Sequence, residues 1–221
     1  AIRFPDDTQT ILTDRESPVA SWIRQAAAGR KVIGIIGLER RKGFLTVLKT
    51  PELARQQKLP YYFVCAGTIS LQQYTPEERE RIHSLVRSIE AGEIDNLHLD
   101  PGAGRIPDEA DYNSLFTTFD IAWAAYEGFQ GSSGTLSKAA AFEIPSLATA
   151  GECVGRRVED YRMGLTIPEG DARRALEAIT FLVKGTDREG MALMPDYARY
   201  REDHSQARLD RILAELLAGA S

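Results

Sequence analysis

Two short stretches of the sequence carry groups that could bind an anion. Arg40, Arg41 and Lys42 follow directly on an apolar run, and Gly43 comes next. A glycine- and serine-rich loop, QGSSG at 130–134, precedes a run of small residues that indicates a helix. Clustered cations attract phosphate esters, and so do the unpaired N–H groups and the positive dipole of a helix start. If the two stretches meet at one edge of a sheet, they fit a diphosphate better than either does alone.

Each stretch also has an ordinary interpretation. Three cations on a loop can form a solvated charge cluster. Serine–glycine loops precede helices in many α/β domains, and most of them bind nothing. Ser132 and Ser133 are good N-cap residues, which serves the helix with or without a ligand.

The elements that would position these stretches alternate between strand and helix. Continuous apolar runs at 31–37 and 59–67 are typical of strands buried on both faces. Further strands are predicted at 96–102, 120–126, 146–150 and 164–167, and helices at 21–29, 44–57, 76–89, 107–118, 135–144, 154–164, 171–184, 189–200 and 204–217. This alternation predicts an α/β fold, a three-layer Rossmann-like parallel sheet with helices on both faces. Ligands of such sheets bind beyond the carboxyl ends of the strands, at the switch point.

We expect three parts along the chain. Residues 1–20 show no clear period and are predicted to be a linker or edge segment. Residues 21–185 form the Rossmann-like domain, and residues 186–221 are expected to be helices that pack on it. Because the chain starts at Ala1 and not at methionine, it could be cut from a longer one.

Composition excludes several classes of function. The 221 residues carry a net charge of -5, which argues against non-specific nucleic-acid binding. There is no apolar run of the roughly 20 residues that a membrane span needs, and no signal peptide is visible. Cys65 and Cys153 lie far apart, which indicates free thiols and a cytoplasmic location. His83, His98 and His204 show no metal-ligand spacing.

Several nucleotide-binding and catalytic motifs are absent. No G-x-G-x-x-G follows a strand, there is no GxxxxGK[ST], and no G-x-S-x-G is present. A dehydrogenase-type dinucleotide site, a P-loop and a nucleophile elbow are therefore not expected. A signalling receiver domain would need acidic residues after its first strand, where this chain has cations.

The order of the motifs is more informative than any one of them. It runs RRKG, a strand ending in AG, GRIPDEADYNSLFTTFDIAWAAY, GSSGTLSKAAAFEIPSLAT and GLTIPEGD. Over roughly residues 30 to 185 it resembles the C-terminal, donor-binding half of retaining glycosyltransferases with two Rossmann-like domains. These are the GT-B enzymes of the group 1, family 4-like type, which include sucrose and glycan-assembly enzymes.

The resemblance implies roles for particular residues. Arg41 and Lys42 match the cationic loop that contacts the donor diphosphate. Gly104, Arg105 and Ile106 match the segment that frames the nucleobase. The loop under the phosphates and the transferred sugar is matched by Gly131, Ser132, Ser133, Gly134, Thr135 and Leu136.

The chain also departs from the family pattern. An arginine usually follows the glycine after the first strand, and Leu38 stands there. Two glutamates separated by seven residues often contact the sugar and the ribose. Counting back from Pro145 places Gln130 and Lys138 at those positions, and counting from Glu127 leads to Thr135 instead. Lys138 could contact phosphate or ribose, or be a solvated helix lysine.

The function implied by the resemblance is donor binding in a glycosyltransferase. Such an enzyme moves a sugar from a nucleotide diphosphate sugar to an acceptor, and it needs no metal or other cofactor. It also needs an N-terminal acceptor domain, which these residues do not contain, so the chain alone is expected to be inactive. The alternative is a non-catalytic nucleotide-sugar-binding module on the same scaffold, which the replaced glutamates favour.

Overall fold

A computed structural model describes residues 5–12, 17–100 and 108–218, with the backbone alone at Asp100. Six parallel strands form one sheet in the order β3-β2-β1-β4-β5-β6. In chain order, β1 to β6 are Lys31–Ile36, Tyr61–Ala66, Leu97–Asp100, Ile121–Ala124, Ser146–Thr149 and Gly164–Ile167. The strand order reverses between β1 and β4, so the connections that follow these two strands leave the sheet side by side.

Helices cover both faces of the sheet. In chain order, α1 to α9 are Pro18–Ala27, Phe44–Gln56, Pro76–Glu90, Glu109–Phe116, Gly134–Ala141, Cys153–Asp160, Ala172–Val183, Tyr197–Asp203 and Gln206–Ala218. Within β1, Ile33 and Ile35 pack in the cluster that includes α2, α3 and α7, whereas Val32 packs toward α1 and α4. Alternate strand residues therefore serve opposite layers, as both faces of a buried strand must. The predicted three-layer α/β architecture is confirmed.

The N-terminal segment is fixed to the domain over its described residues 5–12. The Asp6 N–H donates to the His204 carbonyl over 2.9 Å, and its carboxylate accepts from Tyr200 Oη over 2.6 Å and from Arg157 Nη1 over 2.7 Å. Further on, Asn113 Nδ2 donates to the Ile11 carbonyl over 2.9 Å. The predicted boundary at residue 20 falls inside α1, because the helix already starts at Pro18, which suits a first helical position.

The C-terminal part differs most from the sequence prediction. The helix predicted at 189–200 is wrong over its first half. Asp187 Oδ1 accepts from the N–H groups of Glu189 and Met191, which closes a turn there, and α8 starts only at Tyr197. Helix α9 has no fully buried residue among those described: Leu209 and Ile212 are partly buried, whereas Leu216 and Leu217 are exposed.

Candidate functional site at the carboxyl ends of β1 and β4

The connection from β1 to α2 lies against the end of β4. The predicted basic loop is a short 3₁₀ helix, Arg40–Lys42, and Gly43 follows it with φ +73°. A Cβ atom at Gly43 would lie 2.2 Å from the carbonyl oxygen of Ala125. Only glycine fits this combination of a left-handed backbone and close contact, so the sequence allows the cationic turn to approach β4.

Main-chain and side-chain hydrogen bonds join the same two connections. The Glu127 N–H donates to the Arg41 carbonyl over 2.9 Å. The Glu127 carboxylate accepts from Thr46 Oγ1, in the first turn of α2, over 2.8 Å. The loop after β4 is thus bound both to the cationic turn and to the helix that follows it.

Lys42 and Ser133 meet at one tyrosine. Lys42 Nζ donates to Tyr126 Oη over 3.0 Å and lies 4.3 Å from the centre of that ring. Tyr126 Oη is 2.7 Å from Ser133 Oγ, and both residues are buried. The sequence-predicted cation and the sequence-predicted serine therefore lie on either side of a single hydroxyl. We call this arrangement of Lys42, Tyr126 and Ser133 the lysine–serine corner.

The other two cations of the turn have partners of their own. Arg40 forms an ion pair with Glu78 of α3, and Arg41 forms one with Glu39. The hydrogen bond from Arg40 holds the pKa of the Glu78 carboxyl below its usual value. Arg41 also lies over the Phe129 ring, 5.4 Å from its centre. No carboxylate pairs with Lys42 in the ranges that the structure describes, so this lysine is the one cation of the three that is free of a counter-charge there.

Helix α5 starts as the sequence predicts, with Ser133 as its N-cap. Ser133 Oγ accepts from the Leu136 N–H over 3.1 Å, while Ser132 is exposed and does not cap the helix. Within the described residues, no acceptor is bound by the N–H groups of Gly134 and Thr135. The side chains of Thr135 and Leu136 are buried, so these two positions could contact a ligand only through their backbone.

Lys138 is neither solvated nor at the lysine–serine corner, so the prediction of a solvated helix lysine is wrong. Its side chain is 3% exposed, and Nζ lies 2.9 Å from Asp7 Oδ2 and 3.3 Å from Glu109 Oε1. It also donates to the Gln9 carbonyl over 2.7 Å. Three partners use the three protons of the ammonium group, so a contact from Lys138 to a ribose would require one of them to leave.

Two other positions predicted for the nucleobase, Arg105 and Ile106, lie outside the described residues, as does Gly104. The first described residue after them is Asp108, which caps α4 by accepting from the Ala110 and Asp111 N–H groups. Asp108 therefore serves as a helix cap. The roles of Arg105 and Ile106 stay predictions.

Sequence reasoning missed two residues that shape this edge of the sheet. Tyr126 had no assigned role, although a buried tyrosine at the end of a central strand needs a partner for its hydroxyl. Glu169, from the connection after β6, accepts the Gly128 N–H over 2.9 Å and so fixes the loop that leads to Gly131. The position of Glu169 in the IPEGD turn, at the carboxyl end of a predicted strand, was the signal that could have indicated this role.

The described residues contain no group of three or more His, Cys, Asp or Glu side chains that could hold a metal ion. Among the same residues, no helix is long and apolar enough to cross a membrane. Cys65 is fully buried, and burial raises the pKa of its thiol.

No protein-family model and no curated protein sequence matches the chain. Solved structures do match it. HepE from Anabaena in complex with UDP aligns with a TM-score of 0.69 and 16% identity, covering 99% of this chain and 57% of that one. Sucrose-phosphate synthase from Thermosynechococcus elongatus aligns with a TM-score of 0.66 and 19% identity, covering 100% of this chain and 53% of that one.

The chain thus spans about half the length of these two structures. A third match is itself a separate domain, the C-terminal domain of the glycosyl transferase group 1 family protein LpcC from Francisella tularensis. It aligns with a TM-score of 0.54 and 18% identity, covering 96% of this chain and 97% of that one. The fold of this chain is therefore that of the C-terminal half of GT-B glycosyltransferases.

Proposed function

We propose that this chain is the donor-binding domain of a glycosyltransferase and that it binds the diphosphate of a sugar nucleotide beside Lys42 and Ser133. The observation that carries the proposal is the lysine–serine corner, where a cation and a helix start converge on Tyr126 Oη. The corner lies at the switch point of the sheet, which is where ligands of this architecture bind.

The chemistry of the corner suits a leaving diphosphate. Lys42 would neutralise charge on the phosphates, and the N–H groups of Gly134 and Thr135 would donate to their oxygens. Arg41 is half-exposed, so it could exchange Glu39 for a phosphate at little cost. Fixed donors of this kind stabilise the charge that develops as the sugar leaves, without a metal ion.

The rest of the reaction would need a second domain. In the proposed enzyme the acceptor and the groups that orient it belong to an N-terminal half, since the chain spans about half of the matched glycosyltransferases. The donor sugar would lie over Gly131 and Ser132, which are exposed at the tip of the loop. Arg105 and Ile106 are proposed to frame the base.

The test is calorimetric titration of the chain with UDP. We expect millimolar or tighter binding, and the double variant R41A/K42A should weaken it by about tenfold or more, since each lost charge-assisted contact is worth about 1 to 3 kcal/mol. The double variant K49A/R173A is the charge-matched control, because both side chains are exposed and lie on α2 and α7 away from the corner. No binding by the folded chain, or equal loss in both double variants, would refute the proposal.

A non-catalytic nucleotide-sugar-binding module is the second candidate function. It is favoured by Lys138, which stands where the family resemblance places the ribose contact but is occupied by Asp7, Glu109 and Gln9. The two candidates differ in one measurement. A glycosyltransferase releases a nucleoside diphosphate from its sugar nucleotide when its acceptor domain is present, and a binding module does not.

A further inference from the structure

A cavity lies at the amino-terminal edge of the sheet, opposite the edge that carries the lysine–serine corner. It has a volume of about 320 Å³, is open on one side, and is lined by the second half of α2, one face of α3 and the chain at the start of β3. This volume is at the lower end of the range for sites that enclose small molecules. Neither Lys42 nor Ser133 lines it, so it is separate from the proposed donor site.

The floor of the cavity is apolar. It is made by Leu48, Leu85, Ile94 and Leu97. Leu48 and Leu97 are buried, and Leu85 and Ile94 are partly buried against the main core. A floor of this kind receives a short aliphatic group and excludes water around it.

Two arginines and two serines supply donors along the walls. Arg81, Ser84 and Ser88 share one face of α3 with Leu85, because they are spaced by three or four residues. Arg55 on α2 donates to the Glu93 carbonyl over 2.8 Å. In the part of the chain that the structure describes, neither arginine has an ion-pair partner. Two guanidinium groups without ion-pair partners at one cavity favour a carboxylate ligand.

Acceptors are present as well. Asn96 is 5% exposed, and its Nδ2 donates to the Pro51 carbonyl over 2.9 Å. Asn96 Oδ1 is buried and receives no hydrogen bond from the described residues. A buried acceptor without a partner is costly. Asn96 lines the cavity, so a ligand donor that reaches its Oδ1 would be favourable. Glu52, exposed at the rim, is a second acceptor.

We propose that this cavity binds a small α-substituted carboxylate, an amino acid or hydroxy acid with a short aliphatic side chain. Its carboxylate lies between Arg55 and Arg81, its α-ammonium or α-hydroxyl group donates to Asn96 Oδ1 or Glu52, and its side chain covers the leucine floor. A phosphate dianion fits less well because Glu52 would face it.

The experiment titrates the whole chain with L-leucine, 2-hydroxy-4-methylpentanoate and 4-methylpentanoate, followed by calorimetry and amide NMR shifts. We expect the first two to bind, with shifts on α2, α3 and Asn96, and the third to bind at least fivefold more weakly because it lacks the α-donor. R55Q/R81Q should weaken binding at least tenfold. K49Q/R87Q, with one substitution on another face of each helix, should not.

The remaining outcomes separate the parts of the proposal. E52Q should weaken leucine more than the hydroxy acid, because the ammonium group loses charge attraction to the carboxylate as well as a hydrogen bond, whereas the hydroxyl group loses only a hydrogen bond. The proposal is overturned if none of the three compounds shifts these amides at about 10 mM, which is a weak-binding limit, or if 4-methylpentanoate binds as well as leucine. Displacement of leucine by inorganic phosphate would also overturn it, since a plain anion site needs no α-donor.

Discussion

Helix α5 carries two polar contacts of opposite kinds. At its N-cap, Ser133 contacts Tyr126 Oη, which also accepts from Lys42, a lysine that has no carboxylate partner in the described part of the chain. Little more than one turn later, Lys138 is buried and held by Asp7, Glu109 and Gln9. We propose that the first lysine is available to a ligand, whereas the second uses its charge to hold the N-terminal segment. The comparison teaches that a cation near a candidate binding loop is informative only once its partners are known.

The largest effect should come from the glycine that allows the corner to form. G43A places a Cβ atom 2.2 Å from the Ala125 carbonyl at a φ of +73°, so we expect a loss of about 3 kcal/mol or more in the free energy of unfolding. G29A is the matched control, since φ is +81° there but nothing lies within 4 Å. It should cost only about 1 kcal/mol of backbone strain. Equal losses in urea titrations would show that the contact with β4 is unimportant.

Replacing Lys138 should lower the stability of the fold. K138M removes three hydrogen bonds but leaves Asp7 and Glu109 about half-exposed, so they stay solvated. We expect a loss of about 1 to 2 kcal/mol in the free energy of unfolding. Amide hydrogen exchange in residues 6–12 should rise well beyond that of the sheet. Unchanged exchange in this segment would mean that Asp6 and its partners hold it alone.

Ser133 belongs both to the structure and to the candidate site, because it caps α5 and contacts Tyr126. S133A should lower the free energy of unfolding by about 1 kcal/mol, the usual value of an N-cap. S132A is the neighbouring control, and we expect it to change stability by less than about 0.5 kcal/mol, since Ser132 is exposed and caps nothing. The two variants are compared by thermal unfolding. A similar shift in both would remove the capping argument.

Lys42 should have the smallest effect on stability. K42M breaks one hydrogen bond of a half-buried side chain, and we expect a change within about 0.5 kcal/mol. Its effect on UDP binding should be larger, about tenfold in Kd. K138M provides the contrast, because it should disturb stability more than affinity. If K42M and K138M changed UDP binding alike, the distinction between the two lysines would fail.

The distribution of apolar residues along the chain predicted most of the fold. The runs at 31–37 and 59–67 gave strands β1 and β2 because a strand buried on both faces has no polar alternation. Ser133 could be predicted as an N-cap from its type and place. The partners of Lys138 could not, because Asp7 and Gln9 lie in a stretch without a period and more than 120 residues away in sequence. The turn at Asp187 was missed for a related reason, since a side chain accepting from nearby N–H groups leaves no periodic mark.

The contact between Gly43 and Ala125 joins two loops through main-chain atoms, as does the bond from Glu127 to Arg41. Side chains on these loops can therefore be exchanged while the frame that carries them keeps its shape. Arg41 and Lys42 can therefore be replaced by glutamine, histidine or a carboxylate residue. A change in ligand affinity can then be attributed to the altered charge and not to a shift of the backbone. Such variants would also test the proposal that this edge of the sheet binds an anion.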